Sequence, residues 1–129
     1  PRQLLGSQND MATIRLGKEI YHAGDLNHWY WEGEEDEWNR NMTKAYREEI
    51  EKMAGRTADA AFLPLDPRLE QWFYLGIDDF MKEADAKAIF PMHFWGQFDV
   101  ASRLKALPCS EGYRDKIVEI SKEGQQFEL

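Results

Sequence analysis

Three short apolar runs in this chain each end on a residue with chemistry to offer. "EIYHAGD" leads to Asp25, "DAAFLPLDP" to Asp66 and "AKAIFPMH" to His93. Apolar runs of about four to eight residues bounded by Gly or Pro read as strands. Segments of helical spacing stand between them. Strand and helix alternating at short spacing argue for an α/β layered domain. Sites in such layers form at the carboxyl ends of strands. Three polar groups at three strand ends are the main bottom-up sign of a site.

The remaining elements follow the same reading. In "MATIRLGKEIYH", Met11, Thr13 and Arg15 alternate with Ala12, Ile14 and Leu16, Gly17-Lys18 turns, and Glu19-Ile20-Tyr21 returns, which predicts a hairpin. The segment 34–55 is the clearest helix, with Trp38, Met42, Ala45, Tyr46, Glu49, Ile50 and Met53 forming its stripe and Gly55 ending it. Arg47–Glu51 and Glu48–Lys52 support its exposed side as i,i+4 pairs. Segment 74–85 predicts a shorter helix with Leu75, Phe80 and Met81 inward. Segment 97–107 predicts another, with Phe98, Ala101, Leu104 and Leu107 as its stripe. The end of the chain, from Asp115, predicts a strand, a turn at 122–124 and a final short strand.

Length and charge exclude several classes. The 129 residues suit one α/β domain, 1–129, and 43% hydrophobic content supplies a core. A net charge of −8 repels phosphate backbones, so nucleic acid is not an expected partner. No apolar run reaches the roughly 18 residues of a membrane span. "PRQLLGSQND" lacks the apolar core of a secretory signal, and it lacks an initiator Met, as a processed, tagged or cut chain would. Cys109 is alone and forms no internal disulfide, which suits a reducing cytoplasm and reads as a spare thiol.

Asp25 and His93 are a carboxylate and an imidazole able to share a divalent metal. Stable zinc sites use three or four protein ligands, so two make a weak site. The plainer reading is that Asp25 caps a turn and His93 is a satisfied histidine. His22 closes its strand and reads as a structural hydrogen-bonding group. His28 lies in the aromatic loop, facing solvent or a pocket. Asp25 with either neighbouring histidine is an alternative, metal-free acid/base pair. Asp66, before a Pro, reads as turn chemistry or as support beside a metal. Asn27, Trp29 and Trp95 share the loops of Asp25 and His93 and belong to the expected pocket wall.

"HAGDLNHWYW", followed at a distance by "FPMHFWG", resembles the metallo-β-lactamase-fold hydrolases. The branch it looks most like is the bacterial cytoplasmic metal-dependent hydrolases related to ascorbate-6-phosphate lactonase. The resemblance runs from Gly6 to Leu129 and includes "PLDPR" and "EISKEGQQFEL". It implies a four-layer αββα sandwich of two similar halves around one or two metals, zinc or manganese. Asp25 matches the metal-bridging Asp and His93 the last His ligand. The family's HxHxDH cluster belongs to the other half and is not in this sequence. The chain therefore corresponds to the C-terminal half, one mixed sheet with flanking helices, binding metal weakly or not at all alone. The resemblance implies a small-molecule substrate, phosphorylated or lactone-like. A lone half would expose an apolar sheet face, so a homodimer or a missing N-terminal half is the expected partner. The competing expectation is a non-enzymatic module that dimerises or binds a ligand through its aromatic loops.

Overall fold

The computed structural model describes residues 11–13 and 18–127. The centre is a four-stranded mixed sheet in the order β1-β2-β4-β6. Strand β1 (Met11–Thr13) runs antiparallel to β2 (Glu19–His22), with Thr13 opposite Glu19. Their pairing is that of the expected hairpin, whose tip and residues 14–17 lie outside the described residues. Strands β4 (Ala60–Pro64) and β6 (Ile89–Met92) then add in parallel. A second, two-stranded parallel sheet pairs β3 (Thr57–Ala58) with β5 (Asp85–Ala86). The chain is thus mixed α/β.

Side chains alternate across a strand, so register decides which residues share a face. Tyr21, Ala61 and Ile89 fall in one row, with Leu63 beside them, and all are buried. Helix α1 (Asp36–Glu51) and helix α2 (Leu75–Glu83) are joined to this core by Tyr46, Ile50, Ile77 and Phe80. Phe80 stacks on Tyr21 at 5.1 Å. On the other face, His22, Phe62 and Phe90 form a row of stacked rings, 5.5 and 5.0 Å apart. This face is bounded by residues 93–98 and 120–127, leaving a groove of about 850 Å³.

Four expectations change. The buried stripe of α1 runs through Asn39, Tyr46 and Ile50, while Trp38 is exposed. Asn39 is drawn inward because it donates to Trp31 O and accepts from Trp31 N. The helix at 97–107 shortens to α3 (Val100–Lys105), with Val100 taking the inward place given to Phe98. The strand from Asp115 is reduced to one bridge, Ile117 to Ile89, with Val118 N donating to Ile89 O at 2.9 Å. Two residues on, the β6 edge presents Pro91, which has no N–H to continue a ladder. The turn at 122–124 is present, but residues 125–127 pair with no strand. A 3₁₀ segment, Pro67–Trp72, had no counterpart in the sequence reading.

Candidate functional site

The loop after β2 is fastened before it reaches Asp25. Ala23 N donates to Phe62 O, and Leu26 N closes a turn on Ala23 O. Gly24 takes φ 62° there, a conformation suited to glycine. The His22 ring supports the turn, its Nδ1 accepting from Gly24 N at 3.0 Å. Asp25 then projects into solvent, its side chain 83% exposed.

Beyond Asp25 the loop is pinned from below. His28 is only 2% exposed. Its Nδ1 lies 2.7 Å from Asp79 Oδ2 and its Nε2 lies 2.5 Å from Thr43 Oγ1. Both ring nitrogens are engaged, so His28 faces neither solvent nor the site. Asn27 is also buried, and neither end of its amide has a hydrogen-bond partner. It packs against Gly76 of α2, where an added Cβ would collide with Asn27 Oδ1.

His93 follows β6 directly. It takes φ 60°, Trp95 takes 55° and Gly96 takes 75°. Left-handed backbone at a residue other than glycine costs about 1–3 kcal/mol and persists where the surroundings enforce it. Here the turn carries His93 back toward Asp25, and Nε2 lies 2.8 Å from Asp25 Oδ1. The Trp29 ring stands edge-on to His93 at 6.0 Å, and Trp29 Nε1 donates to Asp25 O at 2.9 Å.

The third strand end carries Asp66, which is fully buried. Its carboxylate accepts from Arg68 N, from Arg68 Nε and Nη2, and from Trp95 Nε1 at 3.1 Å. Burial alone would raise its pKa. The hydrogen bonds from Arg68 and Trp95 and the Arg68 charge outweigh burial and hold it below the usual carboxylate range. Asp66 is therefore an anion locked into the fold. The Arg68 guanidinium lies over two indoles, 4.7 Å from the Trp95 ring centre and 5.4 Å from that of Trp31. Trp31 in turn stacks parallel on Trp29 at 5.8 Å.

The structure thus brings Asp25, His93, Trp29, Asp66 and Trp95 to one end of the sheet, and sets His28 and Asn27 beneath. His22 lies on the outer face beside Phe62. Arg68 was not singled out in the sequence; the Asp-x-Arg spacing of "PLDPR" was the available signal. Among the described residues, no group of three or more His, Cys, Asp or Glu is placed to hold a metal. Asp25 and His93 are two donors of the kinds zinc and manganese accept, here in direct contact with each other. No described helix is long and apolar enough to cross a membrane. Protein-family models, curated proteins and solved structures contain no match to this chain.

Proposed function

We propose that this chain is half of a divalent-metal-dependent hydrolase of the metallo-β-lactamase superfamily, inactive alone. The observation that carries the reading is the 2.8 Å approach of Asp25 to His93 across the ends of two strands. A carboxylate oxygen and an imidazole nitrogen facing each other at a half-open surface form a donor pair for zinc or manganese. When bound, zinc would supply hydroxide near neutral pH, because zinc-bound water has a pKa of about 7. Asp25 presents its exposed carboxylate, and His93 is oriented by the edge of Trp29. Trp95 lines the sheet-face groove beside His93, Trp29 lines a smaller hollow beside Asp25, Asp66 is bonded behind Trp95, and the substrate is a small phosphorylated or lactone-like molecule.

The remaining ligands would come from whatever covers the outer sheet face, giving the four-layer sandwich. The stacked row His22–Phe62–Phe90 supports such a cover, because apolar sheet faces pack against other sheets. The cover is a preceding N-terminal half or a second copy of this chain.

The same face supports a second, non-enzymatic reading, in which the chain only dimerises. The reading frame upstream separates the two. An in-frame HxHxDH segment favours the enzyme, and its absence favours the module. Metal analysis of the protein carrying that segment is the direct test. Asp25→Ala and His93→Ala should each lower bound zinc or manganese, and unchanged metal in both would overturn the hydrolase reading.

A further inference from the structure

We infer that Arg68 is the positioning residue that holds Asp25 against His93, although it bonds to neither. The contacts around the site close into a ring. Arg68 bonds Asp66, and Asp66 accepts from Trp95, two residues beyond His93. In the other direction Arg68 lies over Trp31, Trp31 stacks on Trp29, and Trp29 holds the Asp25 carbonyl. The Asp25–His93 contact completes the ring. Three separate loops contribute, and Arg68 is the member that joins the other two, through its cation–π contacts with Trp31 and Trp95.

The site needs such a clamp. His93 and Trp95 both hold left-handed backbone, which relaxes unless neighbours restrain it. Asp25 sits on an exposed loop and gains little from a contact in water. The guanidinium suits the task because it makes cation–π contacts with two indoles while its fork bonds the Asp66 carboxylate. A lysine carries the same charge with neither geometry. The inference concerns the metal-free chain and stands apart from any hydrolase activity.

The test is carbethoxylation of histidines by diethylpyrocarbonate, read by mass spectrometry of the intact, metal-free chain and its peptides. Asp25→Ala measures the rate at which a released His93 reacts. Arg68→Ala should raise the His93 rate about threefold or more, the size expected for losing one member of a coupled network. In the Asp25→Ala background it should add little, because both changes release the same contact. Buried His28 must stay unreactive in every variant, which reports an intact fold. Arg68→Lys is the second variant and should act in the same direction. A His93 rate unchanged in Arg68→Ala, with His28 protected, would overturn the inference. Exposure of His28 in both Arg68 variants would also overturn it, since Arg68 would then serve the fold as a whole.

Discussion

Asp25 and His93 meet at 2.8 Å although β4 lies between the strands that carry them. Neighbouring strands are about 4.8 Å apart, so the two loops must close roughly 10 Å across the end of β4. They can do so because β4 ends at Pro64 and the chain turns into the Pro67–Trp72 segment. Such an exposed pair adds little stability. Asp25→Ala should therefore change unfolding free energy by less than about 1 kcal/mol in urea titration. A larger loss would assign the contact to the fold rather than to a site.

Asp66 should behave in the opposite way. It is buried and bound by Arg68 and Trp95. Asp66→Ala should cost about 3 kcal/mol, the lower end for breaking a buried pair, since Arg68 can turn to solvent. Its folded pKa lies below its unfolded value of about 3.9. The carboxylate's contribution is thus complete above about pH 4 and fades as pH falls through the folded value. Acid titration should show wild type losing stability below about pH 4 more steeply than Asp66→Asn. Parallel curves would refute this.

Gly76 and Asn27 should be coupled. Gly76→Ala drives a methyl group into the Asn27 amide, and overpacking of this kind costs about 1–3 kcal/mol. Asn27→Ala removes the obstacle. The double variant should be more stable than Gly76→Ala alone. Additive losses in thermal denaturation would show that the two side chains do not share the space.

The outer sheet face offers a test of the covering partner. If a second copy covers the stacked Phe62 and Phe90 rings, light scattering should give a mass above the 15.2 kDa of one chain. Phe62→Glu should return the mass to one chain with far-UV circular dichroism retained. A wild-type mass of one chain would exclude the self-paired form.

Glu70 gives a cleaner measure of backbone strain. Its φ of 54° and ψ of −123° belong to glycine, and the side chain is exposed. Glu70→Gly should raise stability by about 1 kcal/mol, seen as a higher melting temperature. A fall would mean that the side chain has a stabilising role.

What was legible in the sequence was local. β4 and β6 were readable because apolar runs end at Pro and at His, and α1 because its apolar spacing persists over several turns. The placing of Asp25, Asp66 and His93 at strand ends was readable for the same reason. The stripe of α1 departs from hydrophobic spacing at Trp38 and Asn39, because hydrophobicity ranks the indole first and only the fold supplies a backbone partner for the amide.

The sequence by itself determined the strand and helix periods, the acidic surface and the types of donor available, since those follow from residue chemistry and spacing. Tertiary structure alone decided which donors meet. It sank His28 onto Asp79 and Thr43, drew His93 to Asp25 through a left-handed turn, and set Arg68 over Trp31 and Trp95. These contacts join loops far apart in the chain. Their geometry depends on strand order and register, which no short stretch of sequence contains.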